Sequence, residues 1–563
     1  MKIFKNSKLI LVGVLIIAFI LRIYQIDKVP VSLFGDELDL GYQAYSILHT
    51  GKDYYGNSWP LQFHSIAEYR TPLYLYSAVP TVAIFGISPL GVRLPAVIFG
   101  LLGIWALYLL TKELTKREDL ALVAAAVLTF SPWDLQYSRA GFEVTELLFF
   151  LIIGLYFFFK AINGKGKYLW ISVICFIICP WIYSTAKLFI PILFVFLFVV
   201  YFKEIFKLNR KYIIYTIIAG LLMGLPLTYS ILKTPQRFDY ISVFSDSTMQ
   251  GNIGTLRERD LAMGESSFVA KIFENKFTYL GKEVLEHYGQ TLSADFFFNQ
   301  GDPNLRQSPT GMGEFYKIEA VSMIAGIVLF FALYKDKKAK LLIGFWVVVG
   351  VLPSALTRDG GNHATRLILI LPPLTFLIAY GIVEGIKLFK GNYKKLALIF
   401  YVGGFLLCFA MYIHNYYVHY PWDSEIWWHA GYQEAITDVK NLQKNYKTVV
   451  ISTANEPPWI FFAAWYPYPP ADWQKNFPIG NDVELKGFGK VSHIDKFYFG
   501  TPEDSGIYNI GKDLSPQTLY LADAKESNVD FIKEPNRVPK DLVLLKAIAY
   551  PSGEPAFYIF TGK

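Results

Sequence analysis

Eleven apolar stretches, separated by short loops rich in lysine and arginine, follow one another between residues 9 and 415. Each is about 16 to 22 residues long, so a helix rising ~1.5 Å per residue carries it across most or all of a ~30 Å hydrocarbon core. Inside lipid every backbone polar group must find its partner within the chain, and the spans are therefore expected to be helices. Composition agrees: 53% of the residues are hydrophobic and the mean hydropathy is +0.33, values above those of soluble domains.

The loop charges set the order of crossings. The N-terminus reads MKIFKNSK and then an apolar run with no small-residue cleavage site, which is the pattern of a signal anchor with a cytoplasmic N-terminus. If 71–87 and 89–110 both crossed, the loop KELTKRED at 112–119 would face outward and every later basic loop would be inverted. If 71–87, which contains Pro72 and Pro80, instead lies along the outer surface or dips and returns, the alternation is restored. The expected spans are then 9–26, 91–111, 119–137, 144–160, 168–183, 187–202, 212–231, 317–334, 341–357, 366–386 and 396–415, with an extracytoplasmic C-terminus. The net charge of +7 resides largely in the inner loops, as expected of topology signals facing anionic lipid; a nucleic-acid groove is excluded. Cys175, Cys179 and Cys408 lie inside apolar stretches and define no disulfide framework.

Four segments face outward with ionisable residues: 27–90, 131–143, 232–316 and 357–366. Among them they hold Asp36, Glu37, Asp39, Glu68, Arg70, Arg139, Glu143, His287, Asp302, Arg306, Arg358, Asp359, His363 and Arg366. Almost no charge falls at mid-span and no internal repeat is evident, which argues against a transporter. After residue 416 the pattern turns soluble: TVVIST (448–453), KFYFG (496–500), TLYLAD (518–523) and DLVLLKAIAY (541–550) read as strands, and GYQEAITDVKNLQ (431–443) as a helix. The chain divides on this reading into a transmembrane domain, 1–417, and a small α/β domain, 418–563, packed on the spans through WDSEIWWH at 422–429 and carrying no catalytic residue.

The first outer loop holds the chemistry. GDE at 35–37 opens a helical stretch whose Leu38, Tyr42, Tyr45 and Leu48 share a stripe. A carboxylate at a helix N-terminus stays ionised beside the dipole and can take a proton from a hydroxyl nucleophile; it can equally serve as an N-cap, and spacing alone leaves both roles open. Arg139, Arg366 and Lys187 each stand at the outer end of a span, where they can grip a phosphate at headgroup level or snorkel to ordinary lipid.

These motifs taken in order carry a resemblance. GDE, HTGKDYYGNSWP, YRTPLYLY (69–76), RLPAVIFGLLGIWALYLLTKEL (93–114), SPWDLQYSRAGFE (131–143), FFFNQGDPNLRQSPTGMGEFY (296–316) and HATRLILILPP (363–373) together resemble the polytopic GT-C glycosyltransferases of the dolichyl-phosphate-mannose protein mannosyltransferase and aminoarabinose transferase superfamily. The resemblance covers roughly 1–415. It implies an all-α bundle of about eleven spans with juxtamembrane helices, and inverting transfer from a polyprenyl-phosphate sugar on the extracytoplasmic face. It puts the catalytic carboxylate on Asp36 with Glu37 as neighbour, and a phosphate-contacting arginine on Arg139. Arg366 and Lys187 would assist at the donor phosphate, while Glu68, Arg70, His287, Asp302, Arg306 and His363 would contact substrate. The acid-lysine-proline-proline metal motif of the aminoarabinose transferases is altered here to EYRTP (68–72), so no cofactor is expected with certainty; Glu68, His287 and His363 could form a divalent-metal site. The expected partners are the lipid-linked donor, a hydroxyl acceptor on protein, lipid-linked glycan or cell-wall polymer, and membrane lipid. A lipid or polysaccharide transporter and a non-catalytic lipid-glycan binding protein are the competing classes.

Overall fold

The computed structural model describes residues 6–65, 68–233, 241–503 and 506–563. Lys2 and Lys5 of the basic N-terminal run, and residues 234–240 of the outer loop 232–316, lie outside the described residues.

A helix stands at each of the eleven apolar stretches. These are α1 (Ser7–Ile23), α4 (Pro89–Thr115), α5 (Glu118–Phe130), α7 (Val144–Ile162), α8 (Leu169–Ile182), α9 (Ala186–Val200) and, after the short α10 (Phe202–Phe206), α11 (Arg210–Lys233), followed by Glu319–Leu333, Lys337–Ala355, Leu371–Lys387 and Gly391–His414. Six helical segments are long and apolar enough to cross a membrane by themselves: Pro89–Thr115, Val144–Ile162, Arg210–Lys233, Lys337–Ala355, Ala364–Lys387 and Gly391–Asp423. The stretch 119–137 does not continue as one helix. It ends at Phe130 because Pro132 forces Ser131 out of helical geometry (ψ 125°), and a separate helix, α6 (Pro132–Ser138), follows.

Two further helices precede α4. The first, α2 (Gly35–Thr50), follows GDE as the sequence predicts. The second, α3 (Leu73–Phe85), occupies the disputed 71–87 stretch; its 13 residues rise only ~20 Å, less than a hydrocarbon core. Gly86, in the left-handed region at φ 66°, stops α3, and Ser88 caps α4 by accepting from the Gly91 N–H at 3.1 Å.

The largest core runs through the bundle, where α4, α5, α7, α8, α9 and the helix Leu371–Lys387 meet. Helices Glu319–Leu333 and Leu371–Lys387 touch backbone to backbone. A Cβ on Gly326 would lie 1.9 Å from the Leu377 carbonyl oxygen, and one on Gly381 would lie 1.8 Å from that of Ser322. Small residues at this crossing replace the hydrophobic drive that lipid does not supply. Helices α11 and Gly391–Asp423 bury only 6% of their apolar windows and present their sides outward, as a lipid-facing rim does.

The C-terminal region forms a seven-stranded mixed sheet in the order β4-β5-β6-β3-β7-β9-β8, where β3 is Thr448–Ile451, β4 Asp482–Leu485, β5 Gly489–Ile494, β6 Phe497–Phe499, β7 Thr518–Asp523, β8 Leu542–Ala549 and β9 Pro555–Gly562. β3 pairs in parallel with both β6 and β7; the other pairings are antiparallel. Two earlier strands, β1 (Phe63–His64) and β2 (Tyr69–Arg70), make a small hairpin. The four expected strands and the helix, Tyr432–Leu442, are present, while β4, β5 and β9 had no sequence reading. The domain docks partly through Trp428, which meets Phe34 edge-on at 5.2 Å. Most of its contact is with α2: one core joins Leu38, Tyr42 and Ile47 to Phe461, Trp465 and Trp473, Tyr42 donates to the Tyr468 carbonyl (2.9 Å), and the Gln474 amide donates to Ser46, Thr50 and the Asp53 carbonyl.

Candidate active site

The first turn of α2 begins at an extended Phe34 (φ −83°, ψ 172°), and no side chain caps it. Asp36 therefore stands one residue inside the helix instead of at the cap, with a side chain 62% exposed. Its Oδ1 pairs with Nη2 of Arg70 at 3.0 Å. The β1–β2 hairpin carries Arg70 over α2, where Nη1 also donates to the Asp36 carbonyl (3.1 Å) and lies 3.4 Å from Asp39 Oδ2. Asp39 is buried, accepts from the Tyr54 hydroxyl at 2.6 Å, and has its pKa pushed up to about 6 by burial against the pull of the Arg70 charge. Arg70 thus fixes the orientation of Asp36 and leaves the rest of the carboxylate facing solvent.

Asp36 and Arg70 open onto a cavity of about 240 Å³. Phe34, Gly141, Phe142, Glu143 and Tyr183 line it together with Asn304, Arg306 and Gln307 from the 296–316 loop and Asp359, His363, Thr365 and Arg366 from the 357–366 turn. Arg366 is mostly buried and donates to Thr357 Oγ1 (2.7 Å) while pairing with Asp359. Arg306 stacks over Phe34 (5.0 Å) and Trp427 (5.8 Å), and its buried Nε has no hydrogen-bond partner among the described residues. The cavity therefore brings the carboxylates of Asp36, Glu143 and Asp359 together with the guanidinium groups of Arg70, Arg306 and Arg366, so that a base and cationic groups able to meet a developing negative charge share one space.

Of the residues expected to contact substrate, Asp36, Arg70, Arg306, His363 and Arg366 line this cavity, and the others are placed elsewhere. Glu37 is fully buried and takes both arms of Arg93, Nε at 2.8 Å and Nη2 at 2.9 Å, together with the Gly141 N–H at 2.7 Å. With its lone pairs so engaged it anchors α2 to α4 and has no face toward the cavity. Arg139 is likewise outside the lining. It is 1% exposed and donates to the carbonyls of Leu21 (2.8 Å), Arg22 (3.2 Å) and Val29 (2.7 Å), and its guanidinium lies 5.3 Å from both the Tyr416 and Tyr417 rings. In this arrangement it closes the C-terminal end of α1. Lys187, in the first turn of α9, is not part of the lining.

Asp302 is buried and accepts from the N–H groups of Asn304 and Ala364, both at 2.8 Å, so it ties the 296–316 loop to the helix that carries Arg366; burial pushes its pKa up to about 6. The His287 ring meets the Ala355 carbonyl at 2.9 Å, away from the lining, and Glu68 sits in the turn before β2, where its carbonyl accepts from the Ser65 N–H. Among the described residues no three His, Cys, Asp or Glu side chains are disposed to hold a metal, so the suggested set of Glu68, His287 and His363 is not assembled. The residues present do not fit a divalent-metal centre of that composition.

Sequence reasoning placed Glu143 and Asp359 in the outward-facing segments without giving them a role and passed over Tyr183; all three line the cavity. The C-terminal domain, expected to be chemically silent, sends Glu456 to the mouth of α2, where Oε2 lies 4.0 Å from the position of a Cβ on Gly35. Glu456 Oε1 meets His429 Nε2 at 3.2 Å, and this hydrogen bond holds its pKa below the usual carboxylate range.

Residues 69–229 match the family model described as dolichyl-phosphate-mannose-protein mannosyltransferase. No curated protein sequence matches. The structure is similar to that of ArnT from Cupriavidus metallidurans bound to undecaprenyl phosphate, with a TM-score of 0.53 and 10% identity over 99% of this chain and 98% of that one. It is also similar to an Archaeoglobus fulgidus oligosaccharyltransferase tethered to an acceptor peptide, with a TM-score of 0.50 and 14% identity over 99% of this chain and 74% of that one. Against the oligosaccharyltransferase AglB of the same organism, in complex with an inhibitory peptide and a dolichol-phosphate, the TM-score is 0.48 at 16% identity, and the chain spans 64% of that protein's length. This is a multi-pass membrane protein with the GT-C fold. The match to the mannosyltransferase model falls within its helical bundle, and a C-terminal α/β region follows.

Proposed function

We propose that the protein transfers a sugar from a polyprenyl-phosphate donor to a hydroxyl acceptor, with inversion at the anomeric carbon, on the extracytoplasmic face of the cell membrane. The observation that carries this reading is the cavity that Asp36, exposed and paired with Arg70, shares with Arg306, His363 and Arg366. Similarity to a fold solved with undecaprenyl phosphate supports a lipid-phosphate donor.

In the proposed reaction Asp36 accepts the proton of the acceptor hydroxyl as its oxygen attacks the anomeric carbon opposite the phosphate. The C–O bond to phosphate breaks, and the pair of electrons leaves on the lipid phosphate. A positioned base of this kind contributes about two to four orders of magnitude in rate. Arg306 is the better candidate for the developing phosphate charge, since the Arg366 charge is already shared with Asp359. Glu37, buried in its pair with Arg93, is not available as a nucleophile; a retaining route would have to draw on Glu143.

The test is the product configuration. The purified protein in lipid nanodiscs, given a polyprenyl-phosphate sugar of defined anomeric configuration and hydroxyl acceptors, should yield an inverted glycoside by NMR. A product with the donor's configuration would overturn single displacement with Asp36 as base.

A further inference from the structure

The loop between α11 and the helix Glu319–Leu333 contains a helical hairpin with an unusual surface. Its helices are Met249–Ala262, Ser267–Phe273 and Lys276–Thr291, gathered round a small core of Val243, Met249, Ile253 and Leu280. Between its two longer helices the chain displays Met263, Phe268, Ile272, Phe273 and Phe277 to the outside, with Phe277 87% and Phe268 74% exposed. Phe268 and Ile272, at i and i+4, share one helix face, and Lys271 and Lys276 flank them. So much contiguous apolar surface outside the spans needs a covering partner.

The attachment of the hairpin identifies that partner. Tyr288 donates to the carbonyl of Val348 at 2.9 Å, and Val348 lies seven residues, ~10 Å, inside the apolar helix Lys337–Ala355 on its outward-facing side. Val284 and Tyr288 pack against the bundle core from the same direction. The hairpin is therefore fastened part-way down an apolar helix, on an outward side of it where Val348 is exposed, and it carries exposed phenylalanines of its own. We propose that the hairpin is a membrane-embedded interfacial element. Phe268, Ile272, Phe273 and Phe277 enter the acyl chains of the leaflet on the cavity side, and Lys271 and Lys276 reach back to the headgroups. Thr291 Oγ1 donates to the Gly361 carbonyl, and the Arg358 N–H donates to the Ile241 carbonyl (3.0 Å), so the turn carrying His363 and Arg366 is tied to this lipid-seated element at both ends. The proposal does not depend on sugar transfer.

Power-saturation EPR tests it on the full chain in nanodiscs of phosphatidylcholine and phosphatidylglycerol. In a background with Cys175→Ala, Cys179→Ala and Cys408→Ala, nitroxides are attached singly to Phe268→Cys, Phe277→Cys and, on the charged first helix, Glu258→Cys. Dissolved oxygen, concentrated in hydrocarbon, should relax the labels at 268 and 277 several-fold more, relative to a water-soluble nickel chelate, than the label at 258. Greater relaxation by the chelate at 268 and 277 would place the hairpin in water. Protection from both agents would mean a protein partner or a second copy covers it. Either result overturns the proposal.

Discussion

Replacing Arg139 by alanine should unfold the protein more readily without changing what a surviving molecule does to its donor. The guanidinium holds the carbonyls of Leu21 at 2.8 Å and Val29 at 2.7 Å, with a longer bond to Arg22 at 3.2 Å, all in a pocket where it is 1% exposed. A hydrogen bond from a charged donor is worth about 1.5–3 kcal/mol, and the two short ones give about 3–5 kcal/mol of lost stability once partial rehydration of the carbonyls is allowed for. The carbonyls of Leu21 and Arg22 are among those left unpaired at the end of α1, so no neighbouring N–H takes over. The assay is thermal loss of the monodisperse protein in detergent, read beside donor KM on the folded fraction in nanodiscs. Normal thermal stability together with a donor KM raised roughly tenfold or more would refute the reasoning, because Arg139 would then be acting on substrate.

Arg306→Ala should do the opposite: little change in thermal stability, and donor binding or turnover weakened by roughly 10- to 150-fold, the equivalent of one charge-assisted contact, with Arg306→Lys recovering part. The pH dependence of stability should carry the signature of Asp302. Burial raises its folded pKa from 3.8 to about 6, so between these values the native state holds a proton that the unfolded state has lost, and stability falls as pH rises through that window. Compared with Asp302→Asn, the wild type should lose up to about 3 kcal/mol from pH ~4 to ~6 and nothing further above, as followed by thermal unfolding across the range. For topology, a cysteine at Ser88 in a background lacking the three native ones should react with an impermeant maleimide in intact cells, and one at Thr115 only after lysis. Labelling of Thr115 from outside, with Ser88 protected, would mean that α3 crosses the membrane.

The helices were legible because lipid imposes one requirement, a long enough apolar run, and the runs are plain in the sequence. The soluble domain was harder. β9 is buried along nearly its whole length, so it shows no alternation, and β4 is an edge strand of four residues, too short for its alternation to stand out. At the site, Asp36 could be found because a carboxylate at the head of a membrane-surface helix is a local pattern. The roles of the arginines could not. Arg139 and Arg306 look alike in sequence, and what separates them is that backbone carbonyls from residues 21–29, more than a hundred positions away, claim the first. Glu37 was absorbed in the same way by Arg93 across 56 positions. One signal for Glu456 was available: it follows β3, a strand parallel to both its neighbours, and loops beyond the carboxyl ends of such strands are where open α/β sheets place functional groups.

The most direct test is turnover of Asp36→Asn. The side chain is 62% exposed and its ion pair with Arg70 is therefore partly solvated, so folding and donor binding should stay near the wild-type level. In nanodiscs, with purified donor and acceptor, the rate of sugar transfer at saturating donor should fall by about two to four orders of magnitude. An Asp36→Asn protein that folds, binds donor and transfers sugar at the wild-type rate would contradict the account.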